Sequence, residues 1–255
     1  MADAWLLSIY KKVRSMFFLM PMFSIFGIYL LLALAPALIL MNYVYKQDKI
    51  ERESPALLGR LVLMGVLAGF LSMVLEGIGE NILGRADLNP NSAFYKILLS
   101  FLVVGLVEEG MKYLLMSRVT WRNPEFNYKF DAIVYSVFTS LGFAGMENIM
   151  YAMNFGPSVL APRAFLAIPG HCAFAVVFGA FYGRAKMRYY DGYTGRAVLD
   201  IIAGYLLSVC FHGLYDSCAM IGTGMSSLIM AAVIVVIYIV IFKVVKYESE
   251  RDRRL

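Results

Sequence analysis

The sequence predicts an all-α protein, a polytopic transmembrane helical bundle of about seven spans, and three observations carry this prediction. Hydrophobic residues make up 60% of the 255 residues and charged residues only 16%, whereas soluble domains are about half apolar. The apolar residues form runs of ~17–25, the length of helix that crosses a bilayer. These runs are too long and too rich in glycine to be barrel strands, which alternate over ~10 residues.

Seven runs satisfy this length criterion and set the expected organisation of the chain. They cover residues 20–45, 56–79, 93–119, 130–154, 162–186, 197–220 and 225–246. The polar connections between them are short, so we expect no separate soluble domain. The prediction is an N-terminal extension over 1–25, a transmembrane domain over 26–246 and a charged tail over 247–255.

The net charge of +5 bears on orientation rather than on nucleic acid, because basic residues near span ends mark the cytoplasmic side. Lys and Arg cluster after the first, third and fifth runs and in the tail. We therefore expect a multi-pass protein of the cell membrane with a cytoplasmic C-terminus and no nucleic-acid partner. Lys11, Lys12 and Arg14 disagree, since seven spans would place them outside. An interfacial amphipathic helix over 1–15, or a first run that does not cross as one span, would remove the disagreement.

The third run contains two adjacent carboxylates and a lysine, Glu108, Glu109 and Lys112. A charged side chain in a bilayer costs about 3 kcal/mol or more, so such residues are usually functional. Glu108 and Lys112 stand at i,i+4 in the order that favours an ion pair, while Glu109 projects about 100° around the helix. Glu109 therefore needs a partner on another helix or must be protonated. An ion pair that only fixes helix packing would leave Glu109 unexplained.

Three further runs carry polar residues at mid-span or somewhat outward. Glu147 and Asn148 follow the small-residue stretch 142–145, which allows a neighbouring helix to approach closely. His171 follows a Pro-Gly pair that can bend the fifth run toward a cavity. His212, the only other histidine, stands at i,i+4 from Asp216 in the sixth run. Groups at a common depth can converge on one site.

Glu76 and Glu80 lie near the outer end of the second run. Because like charges at i,i+4 repel and glycines flank them, we expect a solvated interfacial pair.

The converging groups suit hydrolytic chemistry. Two imidazoles and several carboxylates can hold a divalent metal with a spare carboxylate as general base, or form a metal-free acid–base pair that activates water. The strings His-Glu-x-x-His and Gly-x-Ser-x-Gly are absent, which leaves no zincin or serine-hydrolase signature. A proton-coupled transporter would show internal repeats, and none is detected.

Ordered motifs on separate runs carry a resemblance to a known family. They are Glu108-Glu109-x-x-Lys112, Asp131-Ala-Ile-Val-Tyr135, Leu141-Gly-Phe143-x-x-x-Glu147-Asn148-x-x-Tyr151, Arg163, His171 with Gly179-Ala-Phe-Tyr-Gly183-Arg-Ala-Lys186, and His212-Gly-x-Tyr215-Asp216. Over about residues 30–220 this set resembles the PrsW family of intramembrane proteases. The resemblance implies a place in the superfamily of the CAAX prenyl endopeptidases and the gamma-secretase scaffold subunit. It also implies cleavage of single-span membrane proteins such as anti-sigma factors at their outward-facing side.

The resemblance also assigns residues. The implied catalytic set is Glu108, Glu109, Glu147, His171 and His212. The supporting set is Lys112, Asn148 and Asp216.

Within that assignment, Glu108 or Glu109 would take a proton from the attacking water. Glu147, His171 and His212 would bind Zn²⁺, or the two histidines would stabilise the oxyanion without a metal. A prenyl-protein substrate is less favoured, because CAAX enzymes commonly have histidine where Glu147 stands. A non-catalytic scaffold subunit that keeps the polar cluster is the other alternative.

Overall fold

The structure is a computed structural model, and it describes residues 27–255. The predicted N-terminal extension over 1–25, with its possible interfacial helix, lies outside the described residues. Within the described part, seven long helical segments and no strands form the fold. They are α1 (Gly27–Gln47), α2 (Pro55–Gly84), α3 (93–120), α4 (Asp131–Phe155), α5 (Ala167–Tyr190), α6 (Thr194–Ile221) and α7 (Gly224–Glu250).

Five of these helical stretches are long and apolar enough to cross a membrane. They are α1, α2, α5 with the short turns before it, α6 and α7. This finding agrees with a multi-pass membrane protein. α3 and α4, which carry most of the predicted site, are not among the five, so the count of about seven spans is not confirmed.

Local signals in the sequence explain where several helices begin and end. Ser54 caps α2 by accepting a hydrogen bond from the Leu57 amide, and a proline follows it at the first helical position. Ser92 caps α3 in the same way. α6 ends at Gly222, whose φ of +66° favours glycine.

α5 begins abruptly, and the break explains how His171 enters the bundle. A short helix, Leu160–Phe165, stops at Leu166, three residues before Pro169. Proline has no N–H, so the carbonyl of Phe165 has no donor one turn later. The Tyr238 hydroxyl of α7 donates to that carbonyl over 2.9 Å. The predicted bend is present one turn before the proline, and it places His171 in the first turns of α5.

α4 is the central helix of the bundle. Its residues from 131 to 146 are all buried, because α1, α2, α3 and α5 pack around it. A Cβ added at Gly142 would collide with the backbone of α2 at Val62, and one at Gly65 with the backbone of α4 at Thr139. The predicted close approach at 142–145 is therefore confirmed, and the partner is α2.

The tail closes one end of the bundle. α7 continues to Glu250, after which the chain turns back along the loop before α4. The Leu255 amide donates to the Asn127 carbonyl at 2.7 Å, and the Lys129 amide to the Arg253 carbonyl at 3.0 Å.

Candidate active site

A cavity of about 620 Å³ opens at the end of the bundle opposite the tail. Its walls come from α2, α3, α4, α5 and α6. Glu108, Glu147, His171 and His212 all line it. The convergence expected from their common depth is therefore present.

α3 contributes three charged side chains to the inner part of the cavity. Glu108, Glu109 and Lys112 are 5%, 0% and 0% exposed. The Lys112 ammonium donates to Glu108 Oε2 at 3.1 Å and to Glu109 Oε1 at 2.8 Å. The predicted i,i+4 pair is confirmed, and the lysine also contacts the second glutamate. A π-helical segment, Leu99–Gly105, immediately precedes these residues, and such segments are frequent at functional sites.

α6 supplies the interhelical partner that Glu109 needed. His212 Nδ1 lies 2.8 Å from Glu109 Oε1. The other ring nitrogen, Nε2, lies 3.3 Å from Asp216 Oδ2 and 3.8 Å from Glu108 Oε2. His212 is thus held between carboxylates from two helices, with Asp216 one turn away as its spacing predicted.

His171 joins α5 to both α3 and α4. Its Nδ1 lies 3.1 Å from the Lys112 ammonium, and its Nε2 lies 3.0 Å from Glu147 Oε2. Because an ammonium can only donate, Nδ1 is the acceptor and Nε2–H donates to Glu147. The rings of His171 and His212 are 5.2 Å apart and nearly perpendicular.

Arg163, from the short helix before α5, fixes the position of Glu147. Its Nη2 donates to Glu147 Oε2 at 2.7 Å and its Nε to Asn148 Oδ1 at 2.9 Å. The Asn148 amide in turn donates to the Ala33 carbonyl of α1 at 2.7 Å. Asn148 therefore supports the site through α1 rather than by facing the reacting groups. Arg163 belongs to the motif set, but no spacing or motif in the sequence pairs it with Glu147.

Glu76 differs from the expectation of a solvated interfacial pair. It lines the cavity, and its Oε1 is buried with no hydrogen-bond partner among the described residues. The signal for this placement was a stripe of buried small residues, Gly65, Gly69 and Ser72, of which the two glycines contact α4. Glu76 continues that stripe one turn further, whereas Glu80 is exposed.

The inner part of the cavity has a deficit of positive charge. Among residues 27–255, five carboxylates lie there with two permanent cations, Lys112 and Arg163. The carboxylates are Glu76, Glu108, Glu109, Glu147 and Asp216. Protons or a bound cation must therefore neutralise the remaining negative charge of these carboxylates.

A divalent ion fits part of this set. Glu108, Glu109, His171 and His212 each offer one ligand atom, and these atoms lie within 4.8 Å of one another. Glu109 Oε2 is buried and has no hydrogen-bond partner among the described residues. Imidazole and carboxylate are zinc-type ligands. Glu147 lies outside this compact group, behind His171. The Lys112 ammonium contacts three of the four residues, so it must turn aside for a dication to bind.

Most of the chain is similar to proteins of one known family. The model of the PrsW family intramembrane metalloprotease matches residues 53–245. Protease PrsW of Halalkalibacterium halodurans is 28% identical over 221 residues, covering 87% of this chain and 97% of that protein. Protease PrsW of Clostridioides difficile is 31% identical over 215 residues, covering 83% and 85%. That of Geobacillus kaustophilus is 32% identical over 189 residues, covering 71% and 75%. No solved structure matches the chain.

Proposed function

Because the chain belongs to the PrsW family of intramembrane metalloproteases, we propose that it hydrolyses a peptide bond in a single-span membrane protein. An anti-sigma factor is the substrate class that we propose. The observation that carries the proposal is the convergence of Glu108, Glu109, Glu147, His171 and His212 from four helices on one cavity.

Glu108 is the better placed of the two adjacent glutamates to act as general base. It lines the cavity, whereas Glu109 is fully enclosed between Lys112 and His212. In our proposal Glu108 takes a proton from water as the water oxygen attacks the scissile carbonyl, and it later returns the proton to the leaving amine. The contact with the Lys112 ammonium favours the ionised form of Glu108 before that transfer.

Glu109 has a positioning role in this scheme. By accepting from His212 Nδ1 it directs Nε2 of the same ring toward the cavity, between Asp216 and Glu108. A proton on Nε2 can then be donated to the oxyanion that forms on the scissile carbonyl. Asp216 stabilises the imidazolium form of His212 from the next turn.

In a metal-dependent alternative to this scheme, we propose that His171, His212 and Glu109 would hold Zn²⁺, and His212 would then be a ligand instead of a proton donor to the oxyanion. Glu147 then supports His171 from behind instead of serving as a ligand, since it is bound to Arg163 and His171 Nε2. Zinc would supply Lewis-acid polarisation of the scissile carbonyl.

The proposed side of cleavage follows from the charge distribution. The Lys/Arg-rich tail lies at the end of the bundle opposite the cavity mouth, and basic residues mark the cytoplasmic side. On that orientation, in the cell membrane, the cavity admits a substrate near its outward-facing end. Exposed apolar residues such as Met73 and Phe155 at the cavity rim suit an apolar peptide segment.

Cleavage of a candidate single-span substrate by the purified protein in liposomes tests the proposal. Glu108→Gln and His212→Ala should each lower the rate by ~10²-fold or more, the scale of positioned acid–base groups. Glu80→Gln is the matched control, because Glu80 is an exposed carboxylate on the same cavity. Parental activity in Glu108→Gln would refute its role as base. Preferential cleavage of a prenylated substrate would point instead to a CAAX-type enzyme.

A further inference from the structure

A second group of buried carboxylates lies at the end of the bundle opposite the cavity. Asp48 and Glu53 lie in the turn between α1 and α2, and Asp131 is the first residue of α4. They are 1%, 5% and 0% exposed. One carboxylate oxygen from each lies within 4.8 Å of the other two. Along α4, Asp131 is about 24 Å from Glu147 at 1.5 Å per residue, so this cluster is separate from the candidate active site.

Most of the polar atoms in this cluster have no hydrogen-bond partner among residues 27–255. Both oxygens of Asp48, Oε2 of Glu53 and Oδ1 of Asp131 are unpartnered. The other oxygen of Asp131 accepts from the backbone amides of Asn127 and Tyr128, at 3.0 and 2.7 Å. These two bonds fix the carboxylate and leave Oδ1 directed at its neighbours.

Tyr135 directs an oxygen of a second kind at this cluster, independently of the three carboxylates. It follows Asp131 by one helical turn, on the same face of α4. The side chain is fully buried, and its hydroxyl lies beside Glu53 and Asp131 with no hydrogen-bond partner in the described part of the chain. Buried tyrosine hydroxyls normally find a hydrogen-bond partner.

The charges nearest this cluster are mostly negative, with Arg52 beside Asp48 as a positive exception. No lysine or arginine in the described part of the chain forms an ion pair with Asp48, Glu53 or Asp131. The nearby Lys129 is paired with Glu248 at 2.5 Å. Without a cation, the cluster can be neutralised only by protons.

We propose that Asp48, Glu53 and Asp131 bind a hard divalent cation such as Mg²⁺ or Ca²⁺. Three carboxylates with no imidazole or thiolate form an all-oxygen set, which these ions prefer to zinc. Ligand distances of about 2.4 Å to Ca²⁺ allow opposed oxygens to stand up to about 4.8 Å apart, and the three carboxylate oxygens of the cluster lie within that distance of one another. The Tyr135 hydroxyl lies beside Glu53 and Asp131, and in this proposal it completes the set directly or through water.

The bound ion would act as a clamp on the fold. It would tie the α1–α2 turn to the start of α4, and α4 carries Glu147 at its other end. The C-terminal tail is connected to the same place, because the Phe130 amide donates to Asp252 at 2.8 Å and the Ser249 hydroxyl donates to the Gln47 carbonyl.

Thermal unfolding of the purified full-length protein in a chelator and in millimolar Mg²⁺ or Ca²⁺ tests this inference. A ligand that binds only the folded state raises its stability, so we expect the wild-type Tm to rise with the cation. The rise should persist in the His171→Ala, His212→Ala double variant, which removes the histidines of the active site. Binding of Mn²⁺, followed by its paramagnetic resonance signal, should show one site in that variant.

Matched substitutions identify the site. Asp48→Asn and Glu53→Gln should abolish the rise in Tm and the Mn²⁺ site, whereas Glu51→Gln, an exposed carboxylate in the same turn, should keep both. An equal response in all variants would place the cation elsewhere and overturn the proposal. The proposal would also be overturned if the wild-type Tm did not change with the cation and Asp48→Asn were more stable than the wild type in chelator. Those results would show that shared protons, and not a metal ion, neutralise the cluster. The wild-type measurement stands even where a variant does not fold.

Discussion

Separate glutamine substitutions of Glu108 and Glu109 should distinguish the proposed general base from the residue that positions His212. Glu108→Gln keeps the shape of a side chain that lines the cavity and loses one contact to Lys112. Glu109→Gln changes a fully buried side chain whose Oε1 accepts from both Lys112 and His212 at 2.8 Å. We expect both variants to be inactive, but only Glu109→Gln to be clearly less stable.

The magnitude follows from the contacts that are lost. Removing one partner of a buried ion pair costs about 3–5 kcal/mol, and in Glu109→Gln the neutral amide must still face an ammonium and an imidazole. For a chain of this size about 1 kcal/mol moves the Tm by about 2–4 °C, so the Tm should fall by about 6 °C or more. Glu108→Gln leaves Lys112 its closer partner, so its Tm should fall by less than half as much.

The assay measures two quantities on each variant in the same lipid or detergent preparation. Substrate cleavage gives the rate, and thermal unfolding gives the Tm, with Glu80→Gln as control. An equal fall in Tm in the two variants would refute the assignment of Glu108 as general base and Glu109 as positioning residue. The expected pattern is an inactive Glu108→Gln whose Tm falls by less than half as much as that of the inactive Glu109→Gln.

Three further predictions concern metal, topology and packing. If zinc is bound, the purified protein should contain about one equivalent and His212→Ala should lose it, whereas full activity without stoichiometric metal would select the metal-free mechanism. The Lys/Arg bias places the loop at Asp87 outside the cell and the loop at Arg122 inside. An alkaline phosphatase fusion, which is active only outside, should therefore be active after Asp87 and inactive after Arg122, and the reverse result would invert the proposed orientation. Gly142→Ala should lower the Tm, since its Cβ meets the α2 backbone, while Gly77→Ala, where a Cβ meets nothing within 4 Å, should not; equal effects would contradict that packing.

The candidate site was partly predictable because some of its contacts are local. The pair between Glu108 and Lys112, and the approach of Asp216 to His212, depend only on helical spacing, and both are present at 3.1 and 3.3 Å. The close approach at Gly142 was also predictable, because small residues in an apolar run allow it. The partner of Glu147 was not, since Arg163 reaches it from a short helix created by the break before Pro169.

The sequence by itself determined that this is a helical membrane protein, which residues form its helices, and which polar side chains lie at a common depth. These properties follow from composition and from the period of a single helix, and neither requires knowledge of how helices pack. Only the tertiary structure decided that Glu109 meets His212, that Glu76 faces the cavity, and that Asp48 and Glu53 meet Asp131. Those contacts depend on how separate helices are rotated and how they cross, and the close approach of α2 to α4 fixes that geometry. The residue pattern of one apolar run does not contain this information.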